Sequence, residues 1–516
     1  MKTFLGIDVG TSSLKAGLRS EDGQLTVHAS RPYPTQRQYP TWAEQNPMDW
    51  WQALIATVQE VLQTSGTQAS DIAAIGIDSM GWTFVPTDKD GEPLYSAMTW
   101  QDRRATAEAT FLQALPEAER LIALNANPLD EAYSTAKVLW LKNHHPDVYA
   151  QTDQFLMCSS FLVRKLTGKN SCDYTHAYGY HCFDMTNLCW DETAADFLGI
   201  DLAKLPPLYA SCDVVGEVTS EAAAEVGLVA GIPVIAGGLD AAVGAFGSGV
   251  ARKGTTADQG GTAFGLSIAL DHVVVEPRLI FSPHVVPGLY LLQGGTVGGG
   301  TFDWFRRMLG QSEQMAAELL NENVYSIMTS EAEQSVPGAN GLIYLSYMSG
   351  ERSPIWNSDA RGVFFGMSYG TTRADIIRAL MEGCVFAVYH NMQIALESGA
   401  QVAEWIGIGG GANNAAWCQL KADITNRPFT VTRQANGKPG DNSLGLAVMA
   451  GWATGYYPNL ADTIDEFLPN RHTYQPNPEN HAIYQELFPI YLDLYERLKP
   501  SFTDLAAFTH KQKDRT

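Results

Sequence analysis

Thr3 to Val9 is an almost unbroken apolar run, closed by Gly10-Thr11-Ser12-Ser13, after which Leu14 to Leu18 resumes strand character. Short dense runs bounded by turn residues predict two strands joined through a glycine turn, and Glu21-Asp22-Gly23-Gln24 predicts the next hairpin turn. The period changes at residue 46. Asn46-Pro47-Met48-Asp49 offers an N-cap, a proline at the first helical position and an acid at the third. Trp51, Leu54, Ile55, Val58, Val61 and Leu62 follow at helical spacing, so one face of this helix is expected to be buried. Ile72 to Ile77 is then a short apolar strand ending at Asp78, the pattern of a strand inside a sheet. Strands alternating with helices predict an α/β fold.

The opening pattern returns near residue 251. Thr255-Thr-Ala-Asp258-Gln-Gly-Gly261-Thr262-Ala-Phe-Gly-Leu-Ser-Ile268 again predicts strand, glycine turn with threonine, and strand. Beside Gly6-Ile-Asp8-Val-Gly10-Thr11-Ser12-Ser-Leu-Lys15 it reads as a degenerate repeat, with Asp and then Gly-Thr inside a hairpin. At 516 residues the chain exceeds what one core serves, and two or three domains are expected. Residues 1–250 and 251–460 would each carry one hairpin, their loops facing across a cleft, with a helical extension over 461–516.

Composition narrows the partners. Lys and Arg total 34 against 56 Asp and Glu, a net charge of -22. Such a surface repels nucleic-acid backbones and anionic lipid, so neither partner is expected, and any bound phosphate must be met by backbone N–H groups and a metal. Seven cysteines without a C-x-x-C pair argue against a disulfide framework or a zinc site and point to the cytoplasm. No apolar run approaches the roughly 20 residues that span a bilayer. Asp8 falls where a secretory signal would still be apolar.

Four segments carry chemistry, each with a plainer reading beside it. Asp8 followed by Gly10, Thr11 and Ser12 suits a phosphate loop whose carboxylate holds Mg²⁺ through water, or an ordinary hairpin turn. Asp240 follows an apolar strand and Gly237-Gly238, where open α/β sheets place their chemistry; the alternative is an N-cap of the next helix. Gly407-Ile-Gly409-Gly410-Gly411-Ala412-Asn413 fits a dinucleotide fingerprint, but the acid expected some 20 residues on is missing from Arg427 to Arg433. A flat glycine surface for an adenine ring serves equally well. Trp100-Gln-Asp102-Arg103-Arg104 suits a polyhydroxylated ligand, or a surface ion-pair cluster. No G-x-x-x-x-G-K-[ST] occurs, which excludes a P-loop kinase.

In order and spacing these segments resemble the FGGY family of carbohydrate kinases, from Phe4 to Tyr456. Trp42-Ala-Glu-Gln-Asn-Pro47, Lys137-Val-Leu-Trp140-Leu, Gly350-Glu351-Arg352-Ser-Pro354, Gly362-Val-Phe-Phe-Gly366-Met367 and Asp375 to Gly383 strengthen the resemblance. It implies an actin-like ATPase fold of two RNase H-like domains with an interdomain cleft, and transfer of phosphate from Mg·ATP to a terminal hydroxyl of a small sugar. It also implies roles. Asp240 would be the catalytic base. Met80, Trp82, Trp100, Asp102 and Arg103 would line the sugar pocket with it. Gly10, Thr11, Ser12, Lys15, Gly261, Thr262 and Gly299 would hold the nucleotide phosphates, with Asp8 on Mg²⁺. Gly409, Gly410, Gly411, Ala412 and Asn413 would flank the adenosine.

The acceptor expected is D-xylulose, with gluconate, ribulose, erythritol or glycerol as alternatives. The xylulose-specific branch usually carries Gln-Met-His-Gly where this chain has Asp78-Ser-Met80-Gly-Trp82, and the Arg-Glu pair of glycerol-specific members is absent. The rival classes are a non-catalytic actin-like nucleotide binder and, more distantly, a dehydrogenase. A homodimer is compatible with everything in the sequence.

Overall fold

The computed structural model describes residues 2–261 and 263–513. Thr262, expected on the second phosphate hairpin, lies outside the described residues.

The first apolar run forms β1, Thr3–Val9, and the glycine turn returns the chain antiparallel as β2, Ser13–Ser20, setting Asp8 opposite Lys15. β3, Leu25–Pro32, continues the meander. Helix α1, Pro47–Ser65, is capped by the Asn46 side chain, which accepts from the Met48 N–H, and buries Trp51, Leu54, Val58 and Val61. It carries the chain over to β4, Ile72–Ser79, which runs parallel to β1 with Asp78 level with Asp8. β5, Val214–Glu217, β6, Pro233–Ile235, and the two-residue β7, Gly238–Leu239, complete a seven-stranded sheet ordered β5-β6-β4-β1-β2-β3, with β7 also on β4. β1 and β4 are central, which explains their uninterrupted hydrophobicity.

The second half repeats this plan. β8, Thr255–Gln259, pairs antiparallel with β9, Ala263–Leu270, and parallel with β12, Glu404–Ile408. β10, Ile280–Pro283, and β11, Tyr290–Val297, extend one side, and β13, Phe429–Arg433, the other. The repeat anticipated from Asp8-Gly-Thr and Asp258-Gly-Gly is therefore structural: the five central strands of the two sheets share one order and direction, in the two-domain α/β fold expected.

The segment after residue 460 is not purely helical. It adds β14, Asn470–Tyr474, antiparallel to β13 at the sheet edge, before the long helix Pro478–Lys513. A helix late in the second half, Asn442–Ala453, packs on the first sheet instead of its own. Gly17, Gly6 and Gly76 lie side by side across β2, β1 and β4. A Cβ on any of them would come within about 3.2 Å of Ser443 or Leu446, so only a glycine row seats that helix this closely. Buried Arg19 of β2 then pairs with Asp441 at 2.8 and 3.0 Å and donates to Ser443 at 2.9 Å. The helix Asn442–Ala453 thus ties the two halves together beside the cleft. Among the described residues no helix is long and apolar enough to cross a membrane.

Candidate active site

Three parallel strands deliver three carboxylates to one sheet end. Asp8 on β1 is level with Asp78 on β4, which is level with Gly238 on β7, two residues before Asp240. Gly237 makes the approach: φ is +75°, and a Cβ there would lie 1.7 Å from the Ile77 carbonyl oxygen, so no other residue fits. Asp240 opens the helix Asp240–Gly247, yet it is not the cap. The cap position is Leu239, and among the described residues the Asp240 carboxylate accepts only from the adjacent Ala241 N–H, at 2.7 Å. Burial, then the charge of Asp8, pushes Asp240 up to about 7, against the Ala241 hydrogen bond, His176 and Lys15. Asp78 is wholly buried; burial first, then Asp8 and Asp240, raises it strongly. Asn442 donates to its Oδ2 at 2.5 Å and to the Asp240 backbone carbonyl at 3.1 Å, while Oδ1 has no partner among the described residues.

A buried layer behind Asp240 holds it. The Thr175 hydroxyl accepts from the Leu239 N–H at 2.7 Å and donates to Asp173. His176 meets the Asp173 carboxylate through Nδ1 at 2.7 Å and the Ser79 carbonyl through Nε2 at 3.2 Å. Acceptors on both sides suit an imidazolium. Burial opposes that charge, but the Asp173 carboxylate outweighs it and raises His176 overall. No sequence pattern singled out these residues, because the contacts that tie them to the site are to backbone groups of distant strands, Leu239 and Ser79.

A cavity of about 740 Å³ opens beside the second hairpin. Its glycine wall is stitched together: Gly411 N–H donates to the Gly260 carbonyl at 2.7 Å, and Gly299 N–H to the Gly261 carbonyl at 3.0 Å. Gly261, Gly299, Gly410, Gly411 and Asn413 line it, with Phe302, Tyr325 and Trp417 providing aromatic surface. Gly409 and Ala412 do not. Gly409 packs its backbone against Gly260, and Ala412 is buried beneath the loop. Asp258, the counterpart of Asp8, is buried and ion-paired with Lys421, so only the first hairpin keeps an open acid.

A second cavity, about 300 Å³, lies between the sheets. Thr11, Met80, Trp82, Trp100 and Asp240 line it from the first half, and Gln259, Phe264, Gln293, Gly295 and Arg352 from the second. The first hairpin is anchored here: Trp100 Nε1–H donates to the Thr11 hydroxyl at 3.0 Å and Gln45 to the Thr11 carbonyl at 2.7 Å. Buried Lys137, pushed down to about 7 by burial, donates to the carbonyls of Trp82 and Thr99 and so fixes both tryptophan loops. Asp102 and Arg103, expected to contact the sugar, are not among the residues that line this cavity. Asp102 is buried and spends both oxygens on Arg104 and the Ala43 N–H, and Arg103 turns to Asp130 and Glu131. Asp102 thus braces the wall, whereas of the Arg103 guanidinium only Nη1 is engaged among the described residues. Gly10, Ser12 and Lys15 line neither cavity: Gly10 N–H donates to the Ser13 carbonyl, and Lys15 pairs with Asp8 at 3.1 Å.

The acid set suits Mg²⁺, which favours oxygen ligands and retains water. Asp8 is partly open, and Asp78 carries an orphaned oxygen. Among the described residues no three acids, histidines or cysteines converge to enclose an ion. Sequence reasoning missed Arg352, Tyr178 and Gln293. Gly350 to Pro354 stood out as a motif, but nothing local indicated that Arg352 reaches the cleft.

Comparison with known proteins agrees with this arrangement. Residues 3–247 match the N-terminal domain, and residues 271–454 the C-terminal domain, of the FGGY family of carbohydrate kinases. The chain is 30% identical over 512 residues to a xylulose kinase of Bacillus subtilis (strain 168), covering 98% of this chain and 99% of the relative. It is 27% identical over 508 residues to a gluconokinase of Bacillus licheniformis, covering 98% of each. The crystal structure of a ligand-bound xylulose kinase from Lactobacillus acidophilus superposes with a TM-score of 0.89 at 26% identity, over 98% of this chain and 100% of that one. With two matching domain models over a shared two-sheet fold of the actin-like ATPase type, this chain belongs to the FGGY family of carbohydrate kinases, sugar phosphotransferases.

Proposed function

We propose that this kinase transfers the γ-phosphoryl group of Mg·ATP to a terminal hydroxyl of a small ketose, D-xylulose before others, with Asp240 as the base. The observation that carries the reading is Asp240 itself: a carboxylate with one local hydrogen bond, pushed up to about 7, facing the cavity between the halves. Such a group suits a general base near neutral pH. In this reading residues 1–250 hold the acceptor and the first phosphate hairpin, 251–460 the adenosine, and the protein works in the cytoplasm. The xylulose kinases among its relatives favour the ketose, and the gluconokinase supports a sugar acid as the second reading.

Bound Mg·ATP supplies the transferable phosphoryl group and a cation that offsets its charge. The chain's residues do the rest. Trp82 and Trp100 offer apolar faces to the sugar, and Asp240 orients one hydroxyl and accepts its proton as the new bond forms. Gly261 and Gly299 let the nucleotide approach the backbone closely, and Asp8 holds the metal through water. Residues from both halves line the acceptor cavity, so closure excludes water from it. A coupled ADP-release screen over ketoses, polyols and sugar acids tests the proposal. Asp240→Ala should lower kcat at least about 100-fold while ADP binding is kept. Turnover that needs no acceptor, or an active Asp240→Ala enzyme, sinks it.

A further inference from the structure

Arg352 is an unanswered charge. It projects from the Gly350–Pro354 loop of the second half into the acceptor cavity, its guanidinium carbon 5.4 Å from the centre of the Trp100 ring. The loop is locked to β11: Ser353 Oγ accepts from the Gly295 N–H at 2.7 Å and donates to the Gly295 carbonyl at 3.2 Å. Gly295 also makes room, since a Cβ there would lie 3.1 Å from Arg352 Nη2. Among the described residues the guanidinium makes no hydrogen bond and no ion pair.

The nearby acids are engaged elsewhere. Glu351 turns its oxygens to the Arg352 and Val297 N–H groups at 3.0 and 3.3 Å, and burial pushes it up to about 7. Asp130 pairs with Arg103 at 2.9 Å. The Tyr133 hydroxyl donates to Asn127 at 3.1 Å. Asp240 shares the cavity without pairing to Arg352. Half-buried beside the Trp100 ring face, the guanidinium keeps its N–H donors free toward the cavity, and its planar fork suits an electron-rich sp² oxygen better than a hydroxyl.

We propose that Arg352 is a specificity-determining residue that takes an sp² oxygen of the acceptor, the carbonyl of a ketose or the carboxylate of a sugar acid. This rests on the kinase reading above and adds a rule to it: a carbon chain bearing such an oxygen is preferred to its fully reduced polyol. Both kinds of acceptor share the chemistry, and two matched pairs separate them. D-Xylulose is compared with xylitol, and D-gluconate with D-glucitol, by kcat/KM in the ADP-release assay. In the wild-type enzyme the oxidised member of at least one pair should be preferred by about 10-fold or more, the scale of one charge-assisted hydrogen bond. The pair that shows the preference identifies the oxygen source.

In Arg352→Met that ratio should fall to near one, chiefly through KM, with Arg352→Lys between the two. Gly295→Ala, which crowds the guanidinium without removing it, should lower the same ratio. Mg·ADP binding, followed by thermal shift, reports whether each variant is folded. If polyols are used as well as their oxidised partners, the inference falls while the kinase reading stands. It falls equally if Arg352→Met slows every acceptor alike, the mark of a residue that only builds the wall. Absence of turnover on all acceptors overturns both.

Discussion

Replacing Asp240 with Asn should make the protein more stable while making it inactive. The Asp240 carboxyl is pushed from an ordinary value near 3.8 to about 7 by burial and by Asp8. At pH below the unfolded value both states carry the proton and the group is neutral for stability. As pH rises from about 4 to about 7 the unfolded chain ionises first, so the wild-type protein loses stability across that window and no more above it. Three pKa units at about 1.36 kcal/mol each give a ceiling of about 4 kcal/mol. Asp240 opens onto the solvent of the cavity, which screens it and brings the expected gain to about 2 kcal/mol. Asn keeps the acceptor for the Ala241 N–H and removes only the charge. The measurement is the thermal midpoint of Asp240→Asn against wild type from pH 4 to 8.5 without nucleotide. For a domain of this size about 2 kcal/mol is worth about 4–8 °C. The difference should be near zero at pH 4, grow through pH 7 and then level off. A difference that is flat with pH, or a variant less stable at pH 8, refutes the electrostatic account of this carboxylate.

Further predictions follow from the packing around it. His176→Asn removes the ring whose charge holds Asp240 down, so the acid limb of the kcat/KM profile should move to higher pH; an unmoved limb means that the ring only packs. Breaking the buried pair with Lys421→Met or Asp258→Asn alone should cost about 3–5 kcal/mol in urea unfolding, and the double variant should recover most of it. Gly237→Ala forces a Cβ into the Ile77 carbonyl and should abolish soluble expression or lower the midpoint by more than any surface change. Gly299→Ala places a Cβ 2.6 Å from the Gly261 carbonyl oxygen, and should raise KM for ATP several-fold with KM for the sugar unchanged.

Local chemistry accounts for much of what was legible beforehand. The cap at Asn46, the glycine turns and the buried runs at Thr3–Val9 and Ile72–Ile77 are written in neighbouring residues, since short-range sterics and hydrogen bonds decide them. The Asp-Gly-Thr repeat likewise announced two sheets of one plan, and the family motifs carried Asp240 to its position. Tertiary structure decided the rest. Asp8 and Asp258 read alike along the chain, yet one stays open and the other is neutralised by Lys421, 163 residues away. Asp102 and Arg352 are both charged residues in family motifs, but Asp102 is spent on Arg104 while Arg352 is left facing the cavity. Whether a charge is available to a ligand depends on the partners that folding brings within about 3 Å, and those partners come from distant segments that no local pattern encodes.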